Sequence, residues 1–252
     1  MKKIIIIGAG AMGSAFAVPC LDNKNDVTIV GTHLEDNLIE TINSNNQTHP
    51  ALKTKLPKEI KFERFEKLQN ILKQDIDIVV CGVSSVGIEW FVQQISKNYK
   101  KKIPIILLTK GLSIVDNELS TLSDKIKKLL EKEGHSEINI SAIKGPCLAA
   151  GLANKMRTGT VIANKNLKES QYLKEIISTN YYSIEISEDI NGVELSGAIK
   201  NIYSMLIGAS EGLSNPKATK EIQSKYFLNT AASLIHRSIS EMVEFVSNYG
   251  GK

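Results

Sequence analysis

Short apolar runs alternate with amphipathic stretches along the first two-thirds of the chain. The apolar runs are rich in β-branched residues and contain few polar positions, which is typical of parallel strands buried on both faces. They occupy residues 4–7, 26–30, 76–81, 103–108 and 138–143. The stretches with apolar residues three and four apart, as in helices, are 66–74, 86–99 and 117–133. This alternation predicts an α/β fold with a doubly wound parallel sheet and helices on both of its faces.

The pattern changes near residue 185. A strand at 158–163 and a helix at 167–179 are followed by only two long helical patterns, at 191–211 and 220–249. We therefore predict a first domain over residues 1–185 and a smaller, apparently incomplete all-α domain over residues 186–252. Two helices cannot enclose a core between themselves, so their apolar faces need the first domain or another subunit. We expect a homodimer, or a chain shorter than its full-length form.

Composition and charge exclude several classes of protein. The chain has 252 residues, is 42% hydrophobic and 23% charged, and can bury a full core. No apolar run approaches the roughly 18 residues that a membrane span needs. The net charge of +4 comes from lysines that alternate with acidic residues, which indicates a solvated surface and no nucleic-acid partner. Three widely spaced cysteines, Cys20, Cys81 and Cys147, predict a reducing cytoplasmic location and no metal site.

A glycine-rich turn follows the first strand and opens a helix. Gly8, Gly10 and Gly13 match the GxGxxG pattern of dinucleotide-binding proteins. The first glycine permits the tight turn, the second lets backbone amides approach a pyrophosphate, and the third allows close packing of helix on strand. In this strand, turn and helix context the motif predicts a Rossmann-like domain that binds NAD or NADP.

The end of the second strand normally selects between the two cofactors. An acidic residue there binds the ribose hydroxyls of NAD, whereas a basic one favours the extra phosphate of NADP. Here Thr32 and His33 occupy the tip, and Glu35 and Asp36 come several residues later, where carboxylates also suit a helix N-terminus. These residues favour NADP, or the use of both cofactors.

Two lysines are candidate site residues. Lys110 follows the apolar strand at 103–108, at the sheet edge where open α/β sheets bind ligands, although most lysines are simply solvated. Lys200 lies in a helix rich in small and apolar residues. Burial and a second nearby cation would both lower the pKa of such an amine, which suits proton transfer.

Five motifs, in order and spacing, resemble those of the NAD(P)-dependent glycerol-3-phosphate dehydrogenases, over nearly the whole chain. They are the glycine turn at 8–13, Thr-Lys-Gly-Leu at 109–112, Lys-Gly-Pro-Cys-Leu-Ala at 144–149, the Glu-Leu-x-Gly-x-x-Lys-Asn block at 194–201, and the segment 229–242. The resemblance implies interconversion of sn-glycerol 3-phosphate and dihydroxyacetone phosphate by hydride transfer with NAD(P). It also implies a role in supplying the phospholipid backbone.

The resemblance also implies roles for individual residues. Lys200 is similar to the family's proton acceptor and donor, and Lys110 to the residue that touches both cofactor and substrate. The remaining implied contacts are Gly145, Cys147, Asn201 and Arg237 for the phosphorylated three-carbon substrate, and Gly8, Gly10, Ala11, Met12, Gly13, Thr32, His33 and Ala149 for the cofactor. For Arg237, a helix-surface salt bridge is an equal alternative. We expect the amines of Lys110 and Lys200 to meet at the nicotinamide end of the cleft.

Three departures from the family pattern keep other functions open. Gly151 stands where the family usually has a glutamate, the link at 213–228 is longer than usual, and the sequence ends before the family's glycine-rich, phosphate-binding segment. One alternative is a related two-domain reductase acting on ketopantoate or a 3-hydroxy acid. The other is a non-catalytic dinucleotide-binding fragment.

Overall fold

The computed structural model of the protein describes residues 1–99, 103–213 and 227–252. Its strands are β1 (Lys3–Ile7), β2 (Asp26–Val30), β3 (Thr48–His49), β4 (Thr54–Lys55), β5 (Lys61–Glu63), β6 (Ile78–Cys81), β7 (Ile105–Leu107), β8 (Leu112–Val115), β9 (Glu118–Thr121), β10 (Ile140–Lys144), β11 (Thr158–Ala163) and β12 (Tyr182–Ser187). Its α-helices are α1 (Ala11–Asp22), α2 (Asp36–Ser44), α3 (Leu68–Leu72), α4 (Ile88–Ser96), α5 (Leu122–Lys132), α6 (Ala149–Ala153), α7 (Leu167–Ile177), α8 (Ile190–Leu213) and α9 (Phe227–Asn248). Short 3-10 turns at Phe65–Lys67 and Ser85–Gly87 precede α3 and α4.

Eight of the strands form one sheet, in the order β12-β11-β10-β7-β6-β1-β2-β5. Neighbouring strands are parallel except β10 and β11, which are antiparallel. The doubly wound α/β prediction is confirmed, whereas the expectation of a wholly parallel sheet is wrong at this pair. The segment 145–157 contains only the five-residue helix α6, which packs on α1 instead of crossing the sheet. The chain therefore returns beside β10 in the opposite direction.

The isoleucines of β1 pack alternately into two hydrophobic cores, one on each face of the sheet. Ile4 and Ile6 pack with α1, α2 and α7, while Ile5 and Ile7 pack with α3, α4 and α5 on the opposite face. Successive side chains of a strand point to opposite faces, so a central strand with helices on both sides must be apolar at every position. This packing fixes the C-terminal end of β1, from which the glycine turn departs.

A hairpin replaces the start of a predicted helix. Helical spacing was expected from residue 117, but β8 and β9 pair as an antiparallel hairpin, and α5 begins only at Leu122. Asp116 and Asn117 form the turn with φ of +54° and +63°, which suits the two-residue turn of a hairpin. Thr121 then caps α5, because its Oγ1 accepts a hydrogen bond from the Asp124 N–H at 3.2 Å.

The helical segment lies directly on the sheet. Helix α8 packs on β10 and on α9, and it begins at Ile190, shortly after β12 ends. The predicted domain boundary at 185 lies inside β12, a strand that the sequence pattern did not reveal. The predicted start of the last helix at 220, and most of the link before it, lie outside the described residues. Docking of α8 brings its N-terminal half to the C-terminal end of β10, where Gly197 meets the Lys144 side chain.

Candidate active site

The glycine turn is packed tightly against the end of β6. Gly8 has φ of +112°, and a Cβ at this position would lie 2.7 Å from the carbonyl carbon of Gly82. A Cβ at Gly13 would overlap the carbonyl oxygen of Gly8. Gly10 stands at the N-cap of α1, where a Cβ would meet only Glu35 Oε1 at 3.9 Å. The turn therefore presents a helix N-terminus without a capping side chain, and this cradle fits a dinucleotide pyrophosphate.

A carboxylate occupies the tip of β2 after all. Oε2 of Glu35 accepts hydrogen bonds from the backbone N–H of Thr32 at 2.8 Å and from that of Ala9 at 3.1 Å. Glu35 does stand at the N-cap of α2, but its side chain turns back to join the β2 tip to the glycine turn. The expectation of a tip without a carboxylate is therefore wrong, because a side chain three residues beyond Thr32 folds back onto it.

Three rings cluster beside the same tip. His33 lies 5.2 Å from Trp90 and 6.2 Å from Phe65 between ring centroids, and Phe65 and Trp90 are 5.5 Å apart. His33 is exposed and the other two rings are half-buried. The cluster forms an apolar surface of the kind on which a planar base can stack.

The two predicted lysines come together at the C-terminal edge of the sheet. Partial burial and the charge of Lys200 lower the pKa of Lys110, so the two amines are close enough to repel each other. Lys200 is half-buried on α8, and Lys110, just beyond β7, is partly covered but still reaches solvent. The neighbouring Thr109 donates a hydrogen bond to the Val83 carbonyl at 2.6 Å, next to the glycine that faces Gly8. The lysine pair thus lies at the same edge of the sheet as the glycine turn.

A third lysine lies buried beneath this pair. Lys144, the last residue of β10, is 4% exposed, and its Nζ donates a hydrogen bond to the Leu107 carbonyl at 3.1 Å. Burial lowers its pKa from 10.5 to about 8, although the nearby Glu194 opposes this shift. Glu194 is 1% exposed, and burial raises the pKa of its carboxyl. Its Oε2 accepts a hydrogen bond from the Ser123 N–H at 3.2 Å.

The segment after β10 lines the floor of the site. Gly145 must be glycine, because a Cβ there would lie 2.8 Å from Cα of Thr160 on β11. Cys147 is buried, and burial raises the pKa of its thiol, while Thr158 and Lys110 oppose that shift. The thiol is therefore near enough to Lys110 for that positive charge to lower its pKa.

The remaining predicted contacts divide between the two sides of the site. Helix α6 begins at Ala149 and packs on α1, which carries Ala11 and Met12. These residues lie against the same core as the glycine turn. Asn201 is exposed beside Lys200 on α8. Their contacts with cofactor and substrate stay predictions.

Arg237 is held on the surface of α9. Its Nε donates to Glu241 Oε1 at 2.7 Å, and its side chain is 75% exposed. This is the helix-surface salt bridge considered as the alternative in the sequence analysis. A role for Arg237 at the substrate phosphate stays a prediction, without support from this arrangement.

Within residues 1–99, 103–213 and 227–252, no group of three or more His, Cys, Asp or Glu side chains is arranged to hold a metal ion. None of the helices in these ranges is both long enough and apolar enough to span a membrane.

Sequence reasoning missed three parts of this site: the returning Glu35 carboxylate, the Phe65 and Trp90 rings, and the buried pair of Lys144 and Glu194. Lys144 opens one of the recognised motifs and Glu194 opens another, but nothing in their spacing shows that they face each other. A lysine at the end of an apolar strand was the available signal, since buried lysines usually have an acidic partner.

Two family models match the chain in sequence. The N-terminal model of NAD-dependent glycerol-3-phosphate dehydrogenase matches residues 3–170, and the C-terminal model of the same family matches residues 189–252. The helical segment, which the sequence analysis treated as apparently incomplete because the family's glycine-rich, phosphate-binding segment is absent, is therefore recognised as this family's C-terminal domain.

Individual relatives agree with the family models. The NADP(+)-dependent glycerol-3-phosphate dehydrogenase of Archaeoglobus fulgidus is 33% identical over 98% of this chain and 70% of its own length. The glycerol-3-phosphate dehydrogenase [NAD(P)+] of Mesoplasma florum is 31% identical over 100% of this chain and 70% of its own. The crystal structure of glycerol-3-phosphate dehydrogenase from Coxiella burnetii shares the fold with a TM-score of 0.77, at 24% identity over 100% of this chain and 70% of that one. This chain belongs to the NAD-dependent glycerol-3-phosphate dehydrogenase family.

Proposed function

We propose that this protein interconverts sn-glycerol 3-phosphate and dihydroxyacetone phosphate by hydride transfer with NAD or NADP. One observation carries the proposal: two lysines distant in sequence lie at the sheet edge that also holds the glycine turn. Lys110 follows β7 there, and Lys200 is one helical turn beyond Gly197, which packs on the Lys144 side chain at the end of β10. Open α/β sheets bind their ligands at this edge, and a substrate with about two negative charges is attracted by clustered amines. Membership of the family gives independent support.

Lys200 is the residue we assign to proton transfer at the C2 oxygen. The bound nicotinamide supplies or accepts the hydride at C2. As C2 is oxidised, Lys200 Nζ takes the hydroxyl proton, and in the reverse direction it returns that proton to the oxygen. Lys200 is half-buried on a packed helix, which restricts the motion of its side chain, so its amine can hold a fixed position at the reacting oxygen.

Lys110 is the residue we assign to holding the substrate beside the cofactor. It is exposed at the edge of the sheet and positively charged, and it lies near Cys147 on the floor of the site. A cation here attracts the anionic substrate and stabilises negative charge that develops on the C2 oxygen. Gly145, Cys147 and Asn201 complete the proposed substrate contacts.

The cofactor is proposed to lie across the glycine turn, with its adenosine end at the β2 tip. The rings of His33, Phe65 and Trp90 provide a surface on which the adenine can stack. Glu35 can accept hydrogen bonds from ribose hydroxyls and would repel the extra phosphate of NADP. This carboxylate opposes the preference for NADP that Thr32 and His33 indicated, so the proposal includes both cofactors.

An absorbance assay at 340 nm tests the function directly. Purified protein with dihydroxyacetone phosphate is expected to oxidise NADH or NADPH, whereas ketopantoate and 3-oxo acids should give no turnover. Turnover with ketopantoate instead would favour the related reductase. Cofactor binding without turnover of any phosphorylated polyol would identify a non-catalytic dinucleotide-binding protein.

The assembly and location are proposed on separate grounds. Exposed apolar side chains, including Met205 on α8 and Ile239 and Val243 on α9, support a homodimer that covers them. Measurement of the mass in solution tests this: a monomer would contradict it. Cys20 and Cys81 are buried free thiols, which suits a cytoplasmic protein. Its product would supply the glycerol backbone of phospholipids.

A further inference from the structure

The buried amine of Lys144 joins the two elements that carry the candidate site lysines. Nζ of Lys144 donates a hydrogen bond to the carbonyl of Leu107, at the last residue of β7. Lys110 follows Leu107 by three residues, so this bond fixes the base of the segment on which Lys110 stands. Since Lys144 ends β10, its side chain crosses from one strand end to the neighbouring one.

The methylene stem of the same side chain supports α8. A Cβ at Gly197 would lie 3.0 Å from Cγ of Lys144 and 3.1 Å from its Cβ and Cδ, so the helix backbone rests directly on the stem. Lys200 is one turn beyond Gly197 and lies on the same side of the helix. The thickness of this one side chain therefore determines how closely the Lys200 turn approaches the sheet edge.

Charge keeps the buried amine in place. Glu194 lies one turn before Gly197, and its carboxylate interacts with Lys144 while it accepts the Ser123 N–H. The ionisable groups around the amine are Glu194 on α8, Cys81 on β6 and Lys110 beyond β7. Oε1 of Glu194 is buried and has no hydrogen-bond partner within the described residues. A buried carboxylate of this kind needs a nearby cation, and Lys144 supplies it.

We propose that Lys144 is a positioning residue that sets the spacing between the amines of Lys110 and Lys200. Its ammonium group holds the end of β7, and its stem holds the turn of α8. The expected effect of Lys144 on kcat/KM rests on the proposed function. Its effect on the spacing of the two amines rests on geometry alone. Lys144 itself touches neither the substrate nor the cofactor in this scheme.

The kinetic test compares Lys144→Met with Lys128→Met. Methionine keeps an apolar stem and removes the amine, whereas Lys128 is an exposed lysine paired with Asp116 on the hairpin. We expect Lys144→Met to lower kcat/KM for dihydroxyacetone phosphate about 10- to 100-fold with an unchanged cofactor Kd, because a displacement near 1 Å can cost this much. Lys128→Met should match the wild type.

A double-mutant cycle separates positioning from general damage. If Lys144 acts through the other two lysines, Lys144→Met should cost less than about threefold once Lys110 is replaced by Met. If Lys144→Met folds poorly, a double variant that adds Glu194→Gln leaves no unpaired buried charge. This double variant should show the same fall in kcat/KM. A wild-type kcat/KM in the folded variants, or an undiminished loss in the Lys110→Met background, would overturn the proposal.

A chemical measurement decides the matter without turnover. The pH midpoint for acylation of Lys110, followed by mass spectrometry, should rise when Lys200→Gln removes the neighbouring charge. In the Lys144→Met background the same change should have little effect, because the amines are no longer held together. An equal rise in both backgrounds would refute the positioning role, even if the wild type shows no dehydrogenase activity and the proposed function fails.

Discussion

The two halves of the site are built by different means. The cofactor half is a backbone structure, in which Gly8 and Gly13 exclude side chains so that a strand end, a turn and a helix N-terminus pack closely. The substrate half is a side-chain structure, in which Lys110, Lys144 and Lys200 come from three separate elements. The first half is sensitive to shape and the second to charge. Substitutions in the cofactor half should therefore change stability and cofactor affinity, whereas substitutions in the substrate half should change turnover.

Loss of the Lys200 amine should have the largest effect on activity. This effect should be confined to the substrate half. We expect Lys200→Ala to lower kcat by about 10³-fold or more, since proton transfer by a positioned group contributes roughly 10²–10⁴-fold. Cofactor Kd, measured by fluorescence titration of NADH, should stay within twofold of the wild type. Lys128→Ala serves as the matched control, and a kcat near the wild-type value for Lys200→Ala would refute the proton-transfer role.

Two glycines of one turn should break the cofactor half in different ways. A Cβ at Gly13 overlaps the Gly8 carbonyl, so Gly13→Ala should lower the free energy of unfolding by about 1–3 kcal/mol. A Cβ at Gly10 fits, so Gly10→Ala should change that free energy by less than about 1 kcal/mol.

The cofactor affinity of the two variants completes this comparison. The methyl group of Gly10→Ala would stand where the pyrophosphate approaches, so we expect Kd for the cofactor to rise about 10- to 100-fold. Denaturant unfolding and fluorescence titration measure the two quantities. A Gly10→Ala protein that binds NADH and NADPH as the wild type does would mean that the pyrophosphate lies elsewhere.

Removing the negative charge at the β2 tip should have a smaller effect than the preceding substitutions, and it should change the preference between the two cofactors. Glu35→Gln keeps an oxygen for the Thr32 and Ala9 amides but removes the negative charge. We expect the ratio of kcat/KM for NADPH to that for NADH to rise about tenfold, since repulsion of the extra phosphate is lost. Glu40→Gln, on the surface of α2, is the control. An unchanged ratio would show that Glu35 does not face the adenosine ribose.

A further effect is expected on stability at high pH. Burial holds the pKa of Lys144 at about 8, below its unfolded value of 10.5, so the folded protein loses this proton first. Since the unfolded state binds more protons between pH 8 and 10.5, Lys144 makes stability rise with pH in that window.

The reference for this pH effect is the neutral pair of Lys144→Met with Glu194→Gln. Chemical denaturation at pH 7.5, 9 and 10 should show the wild type gaining stability relative to this variant. Parallel curves for the two proteins would mean that Lys144 titrates as an exposed lysine does.

The same division explains what could be predicted from sequence. The glycine turn, its strand and its helix are contiguous, so a local pattern revealed them. Lys110 was predicted from its place after an apolar strand and Lys200 from its apolar helix, and the motifs supported both. The contact of Lys144 with Leu107 and Gly197 depends on how α8 docks on β10, which no spacing encodes. Glu35 was misjudged because helix starts favour carboxylates whether or not the side chain turns back.

A structure with NAD(P) and sn-glycerol 3-phosphate bound tests the central claim most directly. We predict that Lys200 Nζ lies within about 3 Å of the C2 oxygen, that Lys110 contacts the substrate and that the nicotinamide faces C2. A substrate bound away from both amines, or the two amines on opposite sides of the nicotinamide cleft, would contradict it.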